Sequence, residues 1–217
     1  MEVGADMSAV SVHKTAGSLT QSSVLLSRGA LISQERIRQS LGLTFTSSAS
    51  YLLMCSLDIA RKQLATRGAE LLGEALELAR WAREEINRIP GLYAFGRELT
   101  GREGCFDFDE TKLGINVRQT GYTGCQVEAL LREKFNIQVE MSDLYNILAV
   151  ISIGDSREDV TALVNALRQL SLGRGGGTRT RDFEIPETPE MIVTPRDAFY
   201  NSKKTVKLED SAGEIAG

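Results

Sequence analysis

Histidine is nearly missing from this chain: His13 is the only one in 217 residues. A metal centre built from several imidazoles is therefore ruled out, and any histidine-based catalytic triad must pass through His13. Cysteine is also scarce. Cys55, Cys105 and Cys125 are odd in number, widely spaced and form no Cys-x-x-Cys pair. They read as reduced thiols of a cytoplasmic protein rather than as a disulfide framework or a zinc site. No apolar run approaches the roughly 18 residues of a membrane span, and the first residues lack the basic-then-apolar pattern of a signal peptide. A basic excess is absent too. The net charge of −4 argues against a nucleic-acid or anionic-membrane partner. What is present is ordinary for a globular protein, 42% hydrophobic and 25% charged.

The one histidine stands beside a lysine among hydroxyls, in "SAVSVHKTAGSLTQSSVLLSR" (8–28). "MSAVSVHK" (7–14) alternates apolar and hydroxyl residues and runs into a Gly/Ser/Thr turn, which predicts a strand ending at the lysine. "SSVLLSR" (22–28) has strand length, and Ser33 is placed to cap a short helix over 33–41. From about Ser50 to Arg88 there is no proline. Leu57, Ala60, Leu64, Leu71, Ala75, Leu78, Ala82 and Ile86 fall at steps of three, four and seven, and Pro90-Gly91 supplies a stop. That spacing predicts one long helix, with Gly68 and Gly73 as points of bending.

Beyond the helix, strand pieces at "GLYAFGREL" and "TKLGINVRQTG" flank the acidic turn "DFDE" (107–110). A helix follows over 121–136, then strands at "IQVEMSD" and "YNILAVISIG" (145–154). A further helix starts at Asp155 or Ser156, with Glu158 placed for a capping box. Strand, helix, strand, strand, helix describes a small α+β layer. "SLGRGGGTRTRDFEIPETPE" (171–190) reads as a linker. Its "GRGGGTRTR" lacks the Gly-Lys-Ser/Thr ending of a phosphate loop and lies in an acidic chain, unlike an arginine-glycine RNA-binding tail. Asp107, Asp109 and Glu110 lack the twelve-residue pattern of a calcium loop and read as a solvated turn. Glu140 and Asp143 flank a strand end; facing a substrate is one reading, and an ordinary exposed pair is the favoured one. Trp81 reads as packing between domains, and another helix starts at Pro195.

A lysine beside an imidazole and hydroxyls is what a Schiff-base enzyme needs: a positioned amine to reach an aldehyde, and donors for a phosphate. Ser11, Thr15 and His13 are the donors at hand. A surface lysine in a Ser/Thr loop has the same local pattern, so spacing alone leaves both readings open.

Four blocks separate them: "GADMSAVSVHKTAGSLTQSSVLL" (4–26), "TSSASYLLMCSLDIAR" (46–61), "NIQVEMSDLYNILAVISIGDS" (136–156) and "TPRDAFYNSKKTVKLEDSAGEIAG" (194–217). In these the chain resembles the ornithine/lysine/arginine decarboxylases, pyridoxal-phosphate enzymes of the aspartate-aminotransferase fold. The shorter, arginine-type bacterial members are the most similar. The resemblance implies an α/β fold in which part of the cofactor-binding large domain precedes a small α+β domain. On that pattern residues 1–50 are the C-terminal part of the large domain, 51–90 an inter-domain helix and 91–172 the small domain. A linker at 173–193 then leads to the start of the decarboxylase C-terminal domain at 194–217. The family's Ser-x-His-Lys motif falls on Ser11, His13 and Lys14. Lys14 is then the catalytic lysine that bonds pyridoxal 5′-phosphate, Ser11 and His13 lie on its phosphate side, and no metal is involved. The implied reaction is decarboxylation of arginine, lysine or ornithine to the amine by a cytoplasmic homodimer or higher homo-oligomer.

This chain departs from the family at Ser47-Ser48-Ala49-Ser50, where members commonly read Thr-Ser-Pro-Ser near the dimer interface. The family's phosphate loop, ring-stacking residue and pyridine-nitrogen aspartate lie upstream of the lysine, yet only thirteen residues precede Lys14. The expectation is an incomplete fragment, inactive by itself. Two alternatives stay open: another enzyme of the same fold, an aminotransferase or lyase, and a non-catalytic dimerisation or regulatory remnant.

Overall fold

The computed structural model describes residues 4–172, 187 and 190–214. The chain divides into two units, Met1–Thr180 and Arg181–Gly217.

In the first unit β1 (Met7–Val10) pairs antiparallel with β2 (Val24–Ser27), Met7 opposite Ser27 and Val10 opposite Val24. One helical turn, α1 (Val12–Thr15), stands between them and carries the His-Lys pair. The expected strand therefore ends four residues before Lys14. Val12 is buried, which pins this turn. Helix α2 (Gln34–Thr44) begins at Ser33, whose hydroxyl accepts from Arg36 N.

Helix α3 runs unbroken from Tyr51 to Asn87, capped by Ser50 and closed ahead of Pro90-Gly91. Gly68 and Gly73 do not interrupt it. At 1.5 Å per residue it is about 55 Å long. Its two halves differ. Ala75, Ala79, Ala82 and Ile86 are buried in the core, whereas Tyr51, Leu52, Met54 and Ile59 are exposed.

After α3 comes a four-stranded antiparallel sheet in the order β3 (Tyr93–Ala94), β4 (Lys112–Asn116), β6 (Asn146–Val150), β5 (Met141–Ser142). Burial alternates along β4 and β6, and Leu113 pairs with Ala149 and Ile115 with Ile147, so these two strands present one apolar face. Against these residues pack the inner positions of α3, α4 (Gly124–Phe135) and α5 (Arg157–Leu172): Ile86, Val127, Leu131, Val160, Val164 and Leu167. Gly124 explains how α4 gets so close. A Cβ there would lie 2.1 Å from the carbonyl oxygen of Asn146, so only glycine lets the helix start against β6.

Two polar details depart from expectation. Glu110 of the acidic turn is only 11% exposed and is gripped by Arg80 and Arg97. The cap of α5 uses Asp159 in place of Glu158, its carboxylate accepting from Ser156 N and Ser156 Oγ. Trp81 packs against the core with the Arg157 guanidinium 3.5 Å over its ring. The glycine-rich stretch 173–181 lies outside the described residues. In the second unit, α6 (Pro195–Tyr200) starts with Pro195 in its first turn and Thr194 as cap.

Candidate functional site

The site is built on the connection between β1 and β2. Its shape is set by two serines. Ser22 Oγ donates to Leu19 O at 2.6 Å, so it must accept from Ser18 Oγ, 2.5 Å away. Both serines are buried, and the pair closes the loop 18–22 on itself. These hydroxyls are consumed in shaping the loop. Ser22 also offers its carbonyl to His13 Nδ1 at 2.8 Å. A carbonyl can only accept, so Nδ1 carries hydrogen, and Nε2 has no partner among the described residues. Ser11 precedes α1, is exposed and makes no side-chain cap. A free hydroxyl and a free imidazole nitrogen thus stand within the same short turn as Lys14.

Lys14 Nζ points outward, 52% exposed, and donates to Glu140 Oε1 at 2.5 Å. Glu140 immediately precedes β5, and its backbone N–H bonds Leu148 O of β6 at 2.8 Å. Glu140 and Asp143 are both exposed, as expected, but their partners differ. Asp143 instead turns on its own loop, accepting from the backbone N–H groups of Tyr145 and Asn146. No local signal could have brought Glu140 to Lys14, because 126 positions separate them.

The lysine turn continues through one crowded position and one further bond. Gly17 has φ +82°, and a Cβ there would sit 3.3 Å from Ile153 Cδ1, just beyond β6. Leu19 N donates to Ser56 Oγ of α3 at 3.2 Å. Among the described residues no group of three or more His, Cys, Asp or Glu is placed to hold a metal ion.

An exposed amine whose turn also carries a free hydroxyl and a free imidazole nitrogen can meet a carbonyl compound that bears an anionic group. Residues 3–113 match the family model of the Orn/Lys/Arg decarboxylase major domain, and the chain belongs to that family. It is 45% identical over 218 residues to the arginine decarboxylase of Bacillus subtilis (strain 168), covering 99% of this chain and 44% of the relative. To the arginine decarboxylase of Halalkalibacterium halodurans it is 46% identical over 216 residues, 98% of this chain and 44% of the relative. The chain therefore spans less than half the length of these curated relatives. Among solved structures it is similar to the lysine decarboxylase of Francisella novicida, with a TM-score of 0.63 at 18% identity, covering 76% of this chain and 28% of that one. It is also similar to an alanine–glyoxylate aminotransferase from Nostoc sp., with a TM-score of 0.59 at 17% identity, over 78% of this chain and 48% of that one. These likenesses show the fold: an α/β arrangement shared with decarboxylases and an aminotransferase.

Proposed function

We propose that the whole protein decarboxylates a basic amino acid to its amine, arginine ahead of lysine and ornithine, with pyridoxal 5′-phosphate carried on Lys14. The observation that supports this is the exposed Lys14 amine, set on the first turn after β1 within the residues that match the family. The preference for arginine rests on the names of the relatives. When bound, the cofactor would supply the electron sink for the bond that breaks as carbon dioxide leaves.

The chain's own residues have separate tasks in this reading. Lys14 provides the attachment amine. The Ser11 hydroxyl donates to the phosphate, and His13 lies on the phosphate side, its Nε2 donating there in the doubly protonated ring because the Nδ1 hydrogen is already given to Ser22 O. The bond from His13 Nδ1 to Ser22 O fixes which nitrogen faces the phosphate, and the Ser18–Ser22 lock keeps that carbonyl in place. We further propose a cytoplasmic homodimer or higher homo-oligomer as the working assembly.

The test has two arms. The 217-residue chain is mixed with pyridoxal 5′-phosphate, reduced with borohydride and digested. The added mass is expected on the peptide holding Lys14, and in Lys14→Ala no such peptide and no visible absorption band should form. In the whole protein, carbon dioxide is measured from carboxyl-labelled arginine, lysine and ornithine, with agmatine, cadaverine and putrescine as products. Release from none of the three removes the reading.

A further inference from the structure

Glu140 reaches Lys14 from a part of the fold that the lysine turn does not otherwise share, and both ends of the contact are anchored. On one side buried Val12, with the backbone bonds from Lys14 N to Ser11 O at 3.2 Å and from Ala16 N to Val12 O at 3.0 Å, fixes the backbone of α1. On the other, the backbone bond from Glu140 N to Leu148 O fixes the carboxylate's base at the β5 edge. Between them stands a flexible four-carbon stem whose end would otherwise sample many rotamers. The ion pair selects one.

We propose that Glu140 is a positioning residue for Lys14: it holds the free amine at one place beside β5 and releases it when the nitrogen bonds a carbonyl carbon. This rests on the reading of Lys14 as the cofactor lysine. The release follows from the atom count. As the ammonium condenses, a nitrogen–carbon double bond forms and the carbonyl carbon–oxygen bond breaks. The oxygen leaves as water with two of the three nitrogen hydrogens, the positive charge stays on nitrogen, and nothing is oxidised or reduced. A nitrogen with three donors becomes one with a single donor, in a direction set by the new double bond. Three interchangeable donors thus become one of fixed direction, and the Glu140 contact loosens because the carboxylate no longer meets an N–H wherever the stem turns.

The experiment uses the whole 217-residue chain with formaldehyde as the carbonyl and cyanoborohydride as the hydride source, and reads methylation by peptide mass spectrometry. Lys62, exposed on α3, is the internal reference. Wild type, Glu140→Gln and Glu140→Asp are compared at low salt and at about 1 M salt, where charges are screened within about 3 Å. At low salt Lys14 should react about two- to fivefold faster in Glu140→Gln, the range expected of an exposed pair. Lys62 should be unchanged, Glu140→Asp should return the rate towards wild type, and high salt should close the gap. Equal Lys14 rates in all three proteins, or a gap that salt leaves untouched, overturn the proposal. A parallel arm with pyridoxal 5′-phosphate keeps the two readings apart. If Lys14 takes formaldehyde in the expected pattern but never the phosphorylated aldehyde, the cofactor reading fails and the pair stands.

Discussion

Ser11, His13 and Lys14 illustrate how single side chains divide between shaping a site and serving it. The hydroxyls of Ser18 and Ser22 are spent on each other and on Leu19 O, while that of Ser11 makes no cap. Ser11→Ala should therefore leave the fold intact and weaken the hold on a phosphate. The chain's preference for pyridoxal 5′-phosphate over pyridoxal, measured by borohydride trapping on Lys14, is expected to fall about three- to tenfold, because a hydrogen bond to a charged group is lost at a partly solvated site. Ser18→Ala should behave differently, lowering the melting temperature before it alters that preference. Glu110 works purely on stability. Hydrogen bonds from Arg80 and then Arg97 pull its carboxyl from the ordinary 4.5 down to about 2. Because the folded state favours the ionised form, this contribution is complete above about pH 5 and is lost as the pH falls towards 2. Glu110→Gln should cost about 1–2 kcal/mol at pH 7, as expected for two ion pairs with exposed arginines. The melting curves of variant and wild type should converge as the pH approaches 2.

Among the elements, the helices were the most legible. Steps of three and four without proline mark α3, and its capping serine and its Pro-Gly stop are written beside it. Strand ends were much less so. The run 137–143 reads as a strand, yet only Met141–Ser142 pairs, because Asn136 leaves α4 in the left-handed region at φ 55° and β5 is a short edge. The alternation of 7–14 likewise outlasts its partner: β2 starts only at Val24, opposite Val10, and the unpaired backbone coils into α1. The start of α5 at Ser156 is one of the two expected, and only its partner differs, because the side chain three after Ser156 is Asp159. The capping box of α4, Thr123 with Gln126, went unread. Of the site, the His-Lys motif was visible because it is contiguous, whereas its carboxylate partner was not. Gly17 tests the turn as an element. A side chain there meets both a positive φ and Ile153, so Gly17→Ala is expected to cost about 1–2 kcal/mol, read from chemical denaturation. It should also slow aldehyde trapping on Lys14.

For the molecule as a whole, apolar surface is unevenly spent. The sheet and the C-terminal half of α3 share a closed core, while Leu43, Phe45, Tyr51, Leu52, Met54 and Ile59 are exposed around α2 and the front of α3. So large an apolar surface favours association. Light scattering and dye binding should fall in Leu52→Glu combined with Ile59→Lys, with the melting temperature nearly unchanged. The long helix also has a mechanical side. It is a beam built into the core at Ala75 and reaching beyond it towards Tyr51, and Ser56, which receives the bond from Leu19, lies about 28 Å out along it at 1.5 Å per residue. A tilt of one degree at the built-in end therefore carries Ser56 sideways by roughly 0.5 Å. Reacting groups displaced by about 1 Å can lose about a hundredfold in rate. The angular tolerance of this beam is thus on the order of two degrees, and its stiffness acts together with buried Val12 and the Leu19 bond in setting how accurately the lysine turn is aimed.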